Sequence, residues 1–195
     1  MSEIQALQGI DTVLYFRLLE DATKKPAMLL PLQTSLDWDM QRDTDTNATK
    51  DGAVTTYSPL ELEVETEFID NGSEAADKLY DALLNNKKVE LWKVYRKRRN
   101  SAGQYFAMYA RGIVSEDSAS ADADDNASRD VTFTGEGEPK RGWITLSKTA
   151  QEELDYIFRG IEAITDSPKN DGTDGNGKAW QPADAGTGTD AEPEE

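Results

Sequence analysis

Residues Lys88 to Val114, KVELWKVYRKRRNSAGQYFAMYARGIV, constrain the fold more than any other stretch. Trp92 and Val94 alternate with Leu91, Lys93 and Tyr95. After a polar, Gly-containing break, Phe106, Met108, Ala110 and Val114 alternate with Tyr105, Tyr109, Arg111 and Ile113. Period-2 alternation of aromatic and β-branched residues on both sides of such a break predicts a β-hairpin. The connection from Lys97 to Gly103 is too long for a two-residue turn and reads as a projecting loop. Arg96, Lys97, Arg98 and Arg99 place four positive charges at that tip. Two readings stand open: complementary contact with an acidic partner such as a second copy of the chain, or a solvated, soluble tip.

The charge matters because the rest of the chain is acidic. Its 195 residues carry 38 Asp and Glu against 21 Lys and Arg, a net charge of −17. Tight binding to a polyanion needs a basic surface, so the charge argues against nonspecific nucleic-acid binding, but not against a like-charged wall past which DNA slides. The absence of cysteine and histidine removes disulfides, thiol nucleophiles, His-ligated metals and Ser-His-Asp chemistry. The first residues show no basic region followed by an apolar run, and no segment approaches the ~20 apolar residues of a spanning helix. The expected product is soluble and made in a cytoplasm.

In chain order, residues 1–10 read as an arm carrying Ile4, Leu7 and Ile10. Residues 11–20 and 27–33 read as strands, the second pushed to an edge or bulge by Pro31. Residues 34–42 read as a third, with Leu36, Trp38 and Met40 alternating against Asp37, Asp39 and Gln41. Asp43–Ala53, rich in Thr, Asn and Asp, reads as an exposed loop. A long strand follows from Val54 to Ile69, with Leu60, Leu62, Val64, Thr66 and Phe68 on one face and Glu61, Glu63, Glu65 and Glu67 on the other. Four carboxylates in a row require water or counter-charge on that face.

Ser73 is positioned to cap a helix running to about Asn86, with Ala76, Leu79, Tyr80, Leu83 and Leu84 as its apolar stripe. After the central hairpin, Arg129–Gly135 and Gly142–Leu146 read as two short strands. Thr149 with Glu152 forms a capping box for a last helix whose stripe is Leu154, Ile157, Phe158 and Ile161. The thirty residues from Asp166 hold eight acids, two lysines, five glycines and three prolines, too little apolar content for a core. The expected organisation is an arm (1–10), one domain (11–164) and an acidic flexible tail (165–195). The expected fold class is mainly β: an antiparallel β-sandwich or half-barrel flanked by an α-helix, with a long β-hairpin loop.

Chemistry-bearing motifs are few. Asp43-x-Asp45-x-Asn47 and Asp122-x-Asp124-x-Asn126 begin like calcium loops, but both have Ala at the glycine position and Val54 or Phe133 at the twelfth. Asp171–Lys178 fails similarly, with Pro182 at that place. Alternate glutamates on one strand form a ladder, unlike the facing carboxylate pair of a glycosidase. No catalytic, cofactor or metal site is expected, and the chain does not read as an enzyme.

The ordered set of features resembles the major tail proteins, or tail tube proteins, of long non-contractile-tailed bacteriophages, especially those infecting Gram-positive hosts. The matching stretches are GIDTVLYFRLLED, DWDMQRDTDTNATKDGAVTTY with its TKDG turn, SEAADKLYDALLNNKKVELWKVY, and GQYFAMYARGIV through RGWITL, together about residues 9 to 160. The resemblance implies a β-sandwich whose strands join those of neighbours, six subunits to a ring, with rings stacked into the DNA-conducting tube of a virion tail. It implies tape-measure, tail-tip and tail-terminator proteins as further partners, with no cofactor and no membrane. Asp43, Asp45, Asn47, Lys50 and Asp51 would then reach an adjacent ring, Arg96–Arg99 would meet acidic loops of a neighbour, and Glu61, Glu63, Glu65 and Glu67 would face the lumen. The polar segment after Ile164 departs from the pattern. The alternative is a monomeric β-sandwich binding module of a phage or bacterial surface structure, with Trp38, Trp92, Tyr105, Tyr109 and Trp143 as a ligand platform.

Overall fold

A computed structural model describes residues 6–147, 150–151, 157–165, 169 and 171–185. The chain divides into two compact units, Met1–Thr145 and Leu146–Glu195. The first contains strands β1 (Thr12–Leu18), β2 (Met28–Leu29), β3 (Gln33–Gln41), β4 (Thr44–Thr49), β5 (Gly52–Tyr57) and β6 (Glu61–Ile69), helix α1 (Glu74–Leu84), and strands β7 (Lys88–Arg99), β8 (Tyr105–Ser120) and β9 (Ser128–Ile144). Seven strands form one antiparallel sheet in the order β2-β1-β7-β8-β9-β6-β3, while β4 and β5 pair only with each other.

The sheet curls until its two edges meet at a side chain. The Gln33 carboxamide accepts from the Leu14 N–H (2.8 Å) and donates to the carbonyls of Leu14 (3.0 Å) and Leu30 (2.6 Å). One amide side chain thus takes the place of a ladder peptide between β1 and β3, giving the expected half-barrel. Its concave face holds Leu14, Phe16, Val64, Phe68, Val89 and Phe133, all fully buried. Each contributes about 1.5–3 kcal/mol of hydrophobic stabilisation.

Helix α1 closes that core with Ala75, Ala76, Leu79 and Ala82. Ser73 caps it as expected, its hydroxyl accepting from the Ala76 N–H at 3.2 Å. Arg129, with no exposed surface, ties helix to sheet. It donates to the Ala76 carbonyl (3.1 Å), lies 3.6 Å over the Tyr80 ring, and forms a two-pronged pair with the buried Asp117 carboxylate of β8. A further link joins Lys78 to Asp21 at 2.6 Å, beyond the end of β1.

Several expectations need correction. Asp43–Ala53 is not an irregular loop: it belongs to a two-stranded ribbon, β4–β5, in register from Thr44↔Tyr57 to Thr49↔Gly52. The expected strand from Val54 to Ile69 is therefore two strands, parted at Ser58–Leu60 around Pro59, which offers no donor. Arg129–Gly135 and Gly142–Ile144 belong to one strand, β9, irregular near Gly137 with its φ of +74°, and Thr145 and Leu146 lie beyond its end. Arg96–Arg99 lie in β7, and the hairpin tip is Asn100–Gln104, where the Asn100 side chain accepts from the Ala102 and Gln104 N–H groups (3.0 Å each).

Thr149, Glu152 and Leu154 of the expected last helix lie outside the described residues, as does Ile4 of the arm. The stretch 157–165 is not helical. Its backbone bonds elsewhere: Gly160 N–H to the Asp174 carbonyl (2.8 Å) and Glu162 N–H to that of Gly175 (3.0 Å). A Cβ on Gly160 would lie 2.1 Å from the Gly175 carbonyl oxygen, so only glycine permits this approach.

Candidate functional site

The glutamate ladder forms as expected. Glu61, Glu63 and Glu65 are exposed and Glu67 half-buried, while Leu62, Val64, Thr66 and Phe68 point inward. The neighbouring strands add to it: in register, Asp37 faces Glu65, Asp39 faces Glu63, and Asp130 faces Glu67. Like charges directly opposite one another destabilise a sheet. The strain reaches Glu65, whose carboxyl is pushed above its ordinary value by Asp130 first, then by burial, Asp37 and Glu63. Alternation in β3 made Asp37 and Asp39 findable in the sequence; nothing there marked Asp130.

Ribbon β4–β5 is exposed at all twelve strand positions. Asp45 and Asn47 share a face with Val54 and Thr56, and Lys50 and Asp51 form the tip. Asp43 lies at the root, where its backbone pairs with Ser58 through N–H to Oγ and N–H to carbonyl bonds, both 2.9 Å. Asp43, Asp45 and Asn47 therefore follow an extended chain that does not wrap around a centre as a calcium loop does. Val54 and Tyr57 remain 55% and 72% exposed.

The basic stretch folds back on its own unit. Lys97 pairs with buried Asp11 (3.0 Å), and Arg96 donates to the Ile10 carbonyl (3.5 Å). Arg98 lies 3.7 Å over Phe106, and Arg99 lies 4.3 Å over Tyr105. Burial works to raise the Asp11 carboxyl, but bonds from Lys97 and from the Gln8 backbone outweigh it and hold the carboxyl below its ordinary value.

The five aromatics do not form a platform. Trp38 packs against the core and Tyr105 is buried. Trp92 and Tyr109 stack at 5.4 Å on one face of the sheet, while Trp143 meets Phe106 at 5.6 Å on the other. The Trp92 face carries a second network: Arg17 sits over Trp92 (5.2 Å) and bonds buried Glu90 (2.6 Å), which also accepts from the Tyr109 hydroxyl (2.7 Å). Burial, then the bond to Glu90, pushes the Tyr109 phenol above its ordinary value. Among the described residues, no three acidic side chains gather as a metal site would require.

Comparison with known proteins gives these surfaces a context. A family described as phage tail tube protein matches residues 6–141. No curated protein matches the chain. Among solved structures, the chain is similar to the SPP1 tail tube, with a TM-score of 0.67 and 16% identity over 76% of this chain and 85% of that one. It is also similar to a chain of the tail of an empty gene transfer agent particle, refined with C6 symmetry, with a TM-score of 0.55 and 7% identity over 72% of this chain and 100% of that one. A chain of the six-fold symmetrised baseplate of the anti-feeding prophage gives a TM-score of 0.52 and 7% identity over 74% and 99%. These likenesses establish a shared fold.

Proposed function

The chain belongs to the phage tail tube protein family, and from that premise we propose how it builds the tube. As a member it is a structural protein of the virion tail. Subunits associate side by side into six-membered rings, and the rings stack head to tail around a DNA-conducting lumen. The observation that carries this reading is the family match across residues 6–141, from before β1 to the last residues of β9. Two features of the subunit support it. The half-barrel ends in strand edges that the Gln33 side chain bridges, and edges of that kind are completed when neighbours add strands. The ribbon pairs with no strand of the larger sheet.

Within this assembly the Glu61–Glu67 ladder lines the lumen and keeps phosphates from adhering. Asp43, Asp45, Asn47, Lys50 and Asp51 contact the adjacent ring, and Arg96–Arg99 lie at a subunit boundary. The protein works as a wall without catalysis; tape-measure, tail-tip and tail-terminator proteins are its partners at the ends. Residues 1–10 act as an arm and 165–195 as an acidic appendage. Light scattering at rising concentration tests the proposal. Growth into particles of many subunits is expected, and a constant one-chain mass at every concentration contradicts self-assembly.

A further inference from the structure

The inward face of the sheet outruns its core. Past Leu91 and Ala110, the next row across β7, β8 and β9 is Lys93, Met108 and Arg141, followed by Tyr95, Phe106 and Trp143. The three rings run in sequence, Tyr95 5.4 Å from Phe106 and Phe106 5.6 Å from Trp143, with Arg98 capping Phe106. Trp143 is 45% exposed, and Arg98 and Arg141 are exposed. In a chain of net charge −17, this shelf gathers three cations among aromatic rings. Burial lowers the Lys93 ammonium, with Asp37 and Asp39 pulling the other way.

Ribbon β4–β5 has complementary properties. Its root, strands and tip carry Asp43, Asp45 and Asp51 against Lys50 alone, and it exposes Val54 beside Asp45 and Asn47. An isolated two-stranded ribbon is marginal in water and gains most from a surface to lie on. Its six-residue strands span ~20 Å, and its two strands are ~5 Å apart, which fits a shelf three strands wide. We propose that the shelf is the receptor for the β4–β5 ribbon of a second copy, with Asp45 and Asp51 against Arg98 and Arg141 and Val54 on Trp143. Donor and receptor are different patches of one chain, so the contact is heterologous and propagates instead of closing on itself as a two-fold dimer. A nucleic acid would also seek cations and rings, but the acidity of the whole chain opposes it.

This inference rests on the tube reading and names one of its contacts. The test compares intact chain, a shelf reversal (Arg98→Glu with Arg141→Glu), a ribbon reversal (Asp45→Arg with Asp51→Arg) and the four substitutions combined. Sedimentation and negative-stain microscopy give the concentration at which each assembles, and thermal melting checks that each folds. Each reversal alone should raise that concentration at least about tenfold, the cost of one lost charge-paired contact, and the combination should restore it. If the intact chain forms tubes and the reversals do so equally well, the shelf assignment falls while the tube reading stands. An intact chain that never assembles overturns both. A labelled single-stranded oligonucleotide bound by the intact chain and released by Trp143→Ala, with assembly unchanged, would assign the shelf to nucleic acid and overturn the proposal.

Discussion

Between Gln33 and Ile69 the chain makes two antiparallel pairs in succession, and they are supported differently. In β3–β6, every second residue of β6 is buried against the half-barrel core, and at the middle of the pair the outer residues are acids facing acids. In β4–β5, one connection further out, all twelve residues are exposed and the pair hydrogen-bonds to no strand of the seven-stranded sheet. The inner pair tolerates two like-charged cross-strand pairings, and β6 a third with β9, because hydrophobic burial beneath them outweighs their repulsion. The outer pair has no such reserve. The first is built for the stability of the subunit; the second costs the subunit little to lose and makes physical sense as a part completed by another molecule.

The comparison can be broken in order of expected effect. Asp117→Ala leaves Arg129 buried without its carboxylate and should cost about 3–5 kcal/mol, read as the shift of a urea unfolding midpoint. Leu62→Ala in the inner pair should cost about 2–5 kcal/mol. Val54→Ala in the outer pair should change stability by less than about 0.5 kcal/mol in the same assay. Equal costs at Leu62 and Val54 would erase the distinction between the pairs. Replacing residues 45–56 by a two-residue Asn-Gly turn across the Asp43–Ser58 bonds should leave the melting temperature within a few degrees while abolishing assembly.

The smallest effect concerns the carboxylate ladder and its pH dependence. The Glu65 carboxyl is raised above its ordinary value of 4.5, so the folded state favours its protonated form. That contribution is complete below the ordinary value and is lost as pH rises through the raised one. Glu65→Gln should therefore melt higher than the unaltered chain at pH 7, with the advantage gone near pH 3.5. An advantage that persists at low pH would show that charge repulsion is not its source.

Legibility in the sequence followed the same divide. Where burial imposed a period, as at Leu62–Phe68, the pattern of residues specified the element and its faces. In α1 it specified the element, with Ser73 at its start, but not the whole face: Ala75 and Ala82 are buried beside Ala76 and Leu79, while Tyr80 and Leu84 of the expected stripe are exposed. The β4–β5 ribbon has no buried side, so Thr44–Ala53 shows no apolar alternation and reads as loop although its backbone is regular. Arg129 is invisible for the opposite reason: a lone arginine between polar residues looks like surface until Asp117, twelve positions earlier, meets it inside. Arg96–Arg99 look like a projecting tip because nothing local announces Asp11, Tyr105 and Phe106 as their partners. At Gly160, helical spacing of Ile157 and Ile161 was overridden by backbone pairing with residues 174–175.

Electron microscopy of the purified chain, at a concentration where scattering shows growth, tests the central claim most directly. The account predicts hollow tubes with a regular axial repeat and six subunits in end-on view. Compact particles of the 21.6 kDa single chain, or closed dimers with no axial repeat, would contradict it.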